Sequence, residues 1–388
     1  MKTKKESSKK MKILMLNYEF PPLGGGGGVA SYKLAKGFIE LGYNVDVVTT
    51  WFKGLKEFEK KDGINIYRVK VIGRKELPTA SMLSMITYPI LAKKIAIKLC
   101  KENQYEFIHT NFAVPTGPLG VELSKKFKLK NILSVWGGDI YDPTKSTSPH
   151  NKPILHEVVN YVLNNVNVIV PESNDLKEKI KEYYKTKTKV VVLPVAYETI
   201  KFKKISRKKL GLEEDLTYLV GVGRLVKRKG FDFFIKSIAE LKDSKVHGLI
   251  IGDGPEKENL LNLAKEFGVK DRIHLLGFVN EEKKFQYLDN SNIFFLSSVH
   301  EGFGIVVQEA MQVGLPIIST NNGGQIDFVK NGANGYLIKH GNTKQVKEAM
   351  LKIQKEKAKV SKNNKQKSKE FGLKKICGKY TRLLKWKK

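Results

Sequence analysis

Residues 293–320 read IFFLSSVHEGFGIVVQEAMQVGLPIIST, and this stretch decides the architecture. An apolar β-rich run ends at Ser298, and a polar, glycine-containing loop, VHEGFG, follows it. The pattern then predicts a helix from Ile305 to about Val313, with Gly314-Leu315-Pro316 leading into a second buried strand, PIIST. Strand, loop, helix and strand in this order make a parallel α/β unit. In open sheets of that kind, ligands bind outside the carboxyl ends of the strands, where the loop holding Glu301 lies. Glu309 follows about one turn into the helix, within reach of the same crevice. A helix start adds free N–H groups and a partial positive charge of roughly half a unit. One segment thus offers carboxylates for hydroxyl groups and amides for phosphate. Either glutamate alone reads as a helix cap or a solvated side chain; the two in this setting read as a site.

Working outward, the same alternation continues in both directions. Tyr218–Val222, Gly248–Ile251, Arg272–Leu275 and Pro316–Ser319 are expected strands, with helices at Phe231–Leu241 and Lys257–Phe267. Toward the N-terminus, strands are expected at Lys12–Asn17, Val45–Thr50, Phe107–Thr110, Ile132–Val135, Val166–Pro171 and Val190–Leu193. A helix is expected at Val29–Leu41, after the loop Gly24–Gly28. The 388 residues therefore divide into two doubly wound halves. The expected divisions are a basic tail at 1–10, an N-terminal Rossmann-like domain at 11–192, and a C-terminal one at 193–372. A basic helix at 373–388 is expected to pack back on the N-terminal domain.

Composition narrows the function classes. Hydrophobic residues make up 41%, enough for packed cores. Two isolated cysteines, Cys100 and Cys377, give neither a disulfide framework nor zinc spacing. The N-terminal MKTKKESSKK is charged, and the apolar run after it is too short for a signal h-region. Met82–Cys100 is broken by Lys93 and Lys94 and falls short of the roughly 20 apolar residues a span needs. The net charge of +31 admits three sources: a lysine-rich composition, a polyanion partner or an anionic membrane surface. Nucleic acid is disfavoured, because no RNA-recognition signature, zinc-finger spacing or aromatic-basic platform is present. Lysines at an acidic leaflet contribute about 1 kcal/mol each. The expectation is a cytoplasmic protein, peripheral on the inner face of a membrane.

Glu301-Gly302-Phe303-Gly304 with Glu309 resembles the E-x7-E signature of retaining glycosyltransferases of family 4. The resemblance runs over nearly the whole chain and is densest from Val220 to Ile338. It includes Val222-Gly223-Arg224-Leu225 with Lys229-Gly230, the turn Ile251-Gly252-Asp253-Gly254-Pro255, Leu276-Gly277-Phe278-Val279, Gly323-Gly324 and Asn334-Gly335. It implies the GT-B fold, two Rossmann-like halves facing across a cleft, and transfer from a nucleoside-diphosphate sugar with retention at the anomeric carbon.

Residue by residue, it implies that Arg224 and Lys229 hold the diphosphate, where fixed cations stabilise the growing charge of the leaving group. Glu301 and the amides of Gly302, Phe303, Gly304 and Ile305 would hold the sugar, and Glu309 the ribose. The base would stack near Phe278 and Val279. Gly25, Gly26, Gly27 and Gly28 would lie over the donor phosphates, as glycines permit close backbone approach. His109 would stand near the reacting sugar and Asn111 near the acceptor. Asp139 would either touch the acceptor or cap a following helix. Asn111 and Trp136 depart from the histidines usual in the family, and Pro194-Val195-Ala196 from its Pro-Asn-Gly. No Asp-x-Asp pair occurs, so neither a metal nor a cofactor is expected, the sugar nucleotide being a co-substrate. The implied acceptor is a lipid-linked or cell-envelope glycan. A nucleotide-sugar 2-epimerase of the same fold and a basic nucleic-acid-binding protein are the rival readings.

Overall fold

The structure is a computed structural model that describes residues 11–77, 80–143 and 147–383. The expected tail at 1–10 and the last five residues of the C-terminal helix lie outside the described residues. The chain forms two compact units, the first running to Glu198 and resuming at Gly372, the second spanning Thr199–Phe371.

The first unit begins with strand β1 (Lys12–Asn17), helix α1 (Gly26–Glu40) and β2 (Asn44–Thr50). The hairpin β3 (Phe58–Lys61) and β4 (Ile64–Val69) follows, then α2 (Met82–Glu102), β5 (Phe107–Asn111), α3 (Gly117–Phe127) and β6 (Lys130–Val135). It continues through α4 (Pro153–Asn164), β7 (Val168–Pro171), α5 (Asn174–Tyr183) and β8 (Lys189–Val190). The strand order is β3-β4-β2-β1-β5-β6-β7-β8, parallel except for the β3–β4 pair. Strands covered by helices on both faces are apolar almost throughout, as in Ile13–Leu16, all fully buried.

The second unit holds β9 (Thr217–Val222), α6 (Phe231–Glu240), β10 (Val246–Ile251), α7 (Lys257–Glu266) and β11 (Ile273–Gly277). Next come α8 (Glu281–Asn290), β12 (Ile293–Leu296), α9 (Ile305–Val313), β13 (Ile317–Thr320), β14 (Gly335–Ile338) and the long α10 (Thr343–Ser368). All its strands are parallel, in the order β11-β10-β9-β12-β13-β14. The chain then returns to the first unit as α11 (Leu373–Leu383), whose Leu373, Ile376, Cys377 and Tyr380 enter that unit's core beside Leu34 and Phe38 of α1.

Two local expectations change. The strand expected at Val190–Leu193 shrinks to Lys189–Val190, because Pro171 on the neighbouring strand has no N–H to donate and Pro194 follows. Helix α1 starts at Gly26, inside the glycine run, where Val29 N–H already closes the first turn on the Gly25 carbonyl at 3.2 Å.

Candidate active site

In each sheet the strand order reverses once, and a doubly wound sheet binds its ligand at that switch point. In the second unit the reversal lies between β9 and β12. The loops leaving these strands, Gly223–Gly230 and Ser297–Gly304, are joined by hydrogen bonds to backbone carbonyls. Val299 N–H donates to Arg228 O at 2.9 Å, and Ser297 Oγ to Lys229 O at 3.1 Å. The Arg228 guanidinium donates to His300 O at 3.2 Å.

This stitching brings two expected residues together. Lys229 Nζ lies 2.5 Å from Glu301 Oε2, with both side chains largely buried. Ser298 Oγ donates to the same oxygen at 3.3 Å. Burial by itself would raise the Glu301 carboxyl, but the Lys229 and Arg228 charges and the hydrogen bonds from Lys229 and Ser298 outweigh it. The net shift is downward, so Glu301 is held as a carboxylate. Its backbone is fixed as well: Gly324 N–H donates to Glu301 O at 2.8 Å, in a parallel bridge between Glu301 and Gly323. Gly323 has φ +121, and any Cβ there would collide with the Glu301 carbonyl oxygen. Only glycine serves at that position.

Arg224 is exposed in the same loop, and its guanidinium has no partner among the described residues. Gly302 and Ile305 are half-buried, and Gly304, at φ +92, begins α9 with no side chain capping the helix. Phe303 has its side chain turned away from the loop surface. Its ring is buried against Phe328 (4.9 Å between centroids) and Phe371 (6.2 Å), so it anchors the loop in the core. Only its backbone is left for a ligand.

Glu309 is buried on α9 and pairs with a residue that the sequence reading missed. Lys284 Nζ of α8 lies 2.7 Å from Glu309 Oε1, and Glu309 Oε2 is buried without a hydrogen-bond partner. Phe278, on the loop after β11, is 85% exposed, while Val279 is half-buried.

In the first unit the reversal lies between β1 and β5. Gly25 caps α1 there, and its N–H donates to Glu19 Oε2 at 3.0 Å. Gly26, Gly27 and Gly28 form the first turn of the helix instead of a free loop. An added side chain at Gly27 would strike the Phe112 ring.

The polar residues expected beside the acceptor are interior. His109 stands in mid-strand, because β5 continues to Asn111. It is fully buried, with its ring between Phe38 and Tyr380 and Nε2 2.8 Å from Ser134 Oγ. Desolvation lowers its pKa to about 3, so it is neutral, and a group without solvent access touches no substrate in this state. Asn111 is equally buried, accepting from Ser31 Oγ at 3.0 Å and so tying β5 to α1. Asp139 caps no helix among the described residues. It accepts from Ala113 N–H at 2.7 Å and Trp136 N–H at 2.8 Å, bracing the loops after β5 and β6. Desolvation raises it to about 6 against those hydrogen bonds.

Two family models divide the chain between them. That for Glycosyltransferase Family 4 matches residues 24–199, and that for glycosyl transferases group 1 matches residues 202–371. The chain belongs to the group 1 glycosyltransferases. An uncharacterized glycosyltransferase of Methanocaldococcus jannaschii is 28% identical over 343 residues, 84% of this chain and 85% of that one. The N-acetyl-alpha-D-glucosaminyl L-malate synthase of Bacillus anthracis is 27% identical over 361 residues, covering 89% and 88%. Among solved structures, sucrose-phosphate synthase from Thermosynechococcus elongatus matches with a TM-score of 0.83 at 19% identity, covering 97% of this chain and 98% of that one. Anabaena HepE in complex with UDP matches at 0.78 and 19%, covering 97% and 100%. The fold of this glycosyltransferase is GT-B. No helix among its described residues is long and apolar enough to cross a membrane.

Proposed function

We propose that this glycosyltransferase moves a sugar from a nucleoside-diphosphate sugar to a hydroxyl acceptor with retention of configuration and without an essential metal. One observation carries the reading: the Lys229–Glu301 pair at the switch point of the second unit, with an unpartnered Arg224 in the same loop and an uncapped helix start beside it. The pairing presents a cation for diphosphate and a carboxylate for sugar hydroxyls from one hydrogen-bonded pair of loops. Complexes of HepE with UDP and with UDP-glucose support a donor of this class.

In this reading Arg224 and Lys229 neutralise the diphosphate as the anomeric C–O bond breaks, which lowers the barrier by fixed charge. The acceptor oxygen attacks from the face the diphosphate leaves, and its proton passes to the departing phosphate oxygen, so no protein nucleophile is needed. Glu301 and the amides at Gly302–Ile305 hold the sugar, Glu309 Oε2 accepts from a ribose hydroxyl, and Phe278 offers a face to the base. The first unit takes the acceptor near Gly25–Gly28, a lipid-linked or cell-envelope glycan reached from the cytoplasmic face of a membrane. The charge of +31 supports that partner.

The test is a thermal-shift screen of sugar nucleotides, in which a ligand at about 100 times its Kd adds about 2.7 kcal/mol. One donor should stabilise the protein, Arg224→Ala and Glu301→Gln should remove both the shift and turnover, and EDTA should leave turnover unchanged. Turnover that persists undiminished in both variants would defeat the assignment. Conversion of the donor to an epimer with no acceptor present would replace transfer by epimerisation.

A further inference from the structure

Helix α2 carries a face that its own unit leaves open. Ser84, Tyr88, Ala92, Ala96 and Leu99 turn inward at helical steps, and Tyr88 Oη donates to Val48 O at 2.8 Å. On the outer face Met82, Leu83, Ile86, Ile90 and Leu91 stand exposed, Ile86 at 57% and Ile90 at 66%. Ile72, also exposed, joins them, because its N–H donates to Thr87 Oγ1 of the helix at 3.2 Å. Single exposed apolar residues are ordinary, but a contiguous group on one face marks an interaction surface.

The face changes character along its length. Residues 80–92 contain no charged side chain, whereas Lys94, Lys98 and Lys101 occupy the following exposed turns. A helix with an apolar stripe and lysines beside it suits the boundary between lipid headgroups and acyl chains. The apolar half is also firmly built. Ser81 and Ser84 form a capping box, and Ser84 Oγ meets Tyr18 Oη at 2.6 Å. Tyr18 follows β1, and Gly24 N–H donates to Leu77 O at 3.1 Å. The apolar half therefore lies at the carboxyl edge of the sheet, beside the glycine start of α1. The lysine half runs toward the opposite edge, where Lys12 Nζ bonds Asn103 Oδ1 at 2.5 Å.

We propose that α2 docks the first unit on an anionic lipid surface, with Met82–Leu91 and Ile72 entering the headgroup boundary and Lys94–Lys101 lying against lipid phosphates. Charge complementarity selects this occupant: the chain carries +31, and anionic lipid supplies apolar depth and negative charge side by side. The use of such docking, presenting a lipid-linked acceptor at the edge where α1 begins, rests on the function proposed above; the docking itself does not.

The test is vesicle flotation of the full-length protein with phosphatidylcholine alone and with roughly 30 mol% phosphatidylglycerol added, lysines near such a surface being attracted to it. The protein should float with the mixed vesicles and not with the neutral ones. Ile86→Ser/Ile90→Ser should lower partition by about tenfold with charge unchanged, because apolar area that would be buried is lost. Lys94→Ser/Lys101→Ser should lower it severalfold. Unchanged melting of both variants, and an unchanged shift with whichever sugar nucleotide stabilises the wild type, shows that they remain folded. Three results would overturn the proposal: no flotation with the mixed vesicles, equal flotation of the Ile86→Ser/Ile90→Ser variant, or a dimer by light scattering that this variant dissociates while wild type ignores vesicles. Flotation without stabilisation by any sugar nucleotide would instead defeat the proposed donor and leave the docking intact.

Discussion

Replacing Lys284 by methionine isolates the contact that holds Glu309. The Lys284 Nζ–Glu309 Oε1 distance is 2.7 Å, and the two side chains are only 17% and 7% exposed. Glu309 Oε2 already has no hydrogen-bond partner among the described residues, so Lys284→Met leaves a buried carboxylate stripped of its ion pair. Breaking a buried pair from one side typically costs 3–5 kcal/mol, and the partial exposure of Lys284 reduces this to about 2–3 kcal/mol. Methionine retains the apolar stem, so little of the loss comes from packing. For a unit of this size about 1 kcal/mol moves Tm by 2–4 °C, so calorimetry should show a fall of about 5–10 °C in the transition of the second unit. The double variant Lys284→Met/Glu309→Met, which removes both charges, should recover most of that fall. Lys284→Arg should keep Tm near wild type. If Lys284→Met melts within a degree of wild type, or the double variant melts no higher than the single one, the pair does not hold the site. In the proposed reading the single variant also raises KM for the donor more than it lowers kcat, because Glu309 loses its orientation and the diphosphate contacts remain.

Burial of a neutral His109 makes the first unit sensitive to acid. Its folded pKa, about 3, lies below the unfolded value near 6.5, so this stability is complete above pH 6.5 and is lost as pH falls toward 3. At pH 5 the loss is about 2 kcal/mol by denaturant titration, and His109→Gln should abolish that increment. Asp139 acts in the opposite sense, its raised pKa favouring the fold as pH falls below about 6, so the histidine effect is read from the difference between variant and wild type. Gly323→Ala forces a Cβ against the Glu301 carbonyl at φ +121. It should cost about 1–3 kcal/mol and abolish the thermal shift given by the donor. Phe278→Ala should leave Tm unchanged, since the ring is 85% exposed, and raise donor KM severalfold; an unchanged KM would remove Phe278 from the base site.

What could be read before folding was whatever lies in one strand, loop and helix. The strand–loop–helix–strand of 293–320 appears with nearly its expected bounds, and the carboxylate of Glu301 follows from it. Lys229 belongs to a second such segment. Only the sheet order, β9 beside β12, brings its ammonium to Glu301, and the family pattern rather than any spacing rule pointed to it. Lys284 has neither advantage. It stands on α8, outside the loop pattern, as one lysine among many in a strongly basic chain. His109 shows the converse case. A histidine near the carboxyl end of a parallel strand has the local marks of a site residue, yet Tyr380 of α11 closes over it from the far end of the chain. From sequence, helix α2 registers only as a stretch too broken by lysines to span a bilayer, because apolar counts measure length and not which face is covered. Its inward face is defined by contacts with Tyr18 and Val48, which lie far earlier in the chain. The unpaired outer face becomes visible only after those contacts have used the other side. Local patterns therefore locate chemistry that one loop can carry, while partners, coverings and docking faces depend on which segments the sheet order sets side by side.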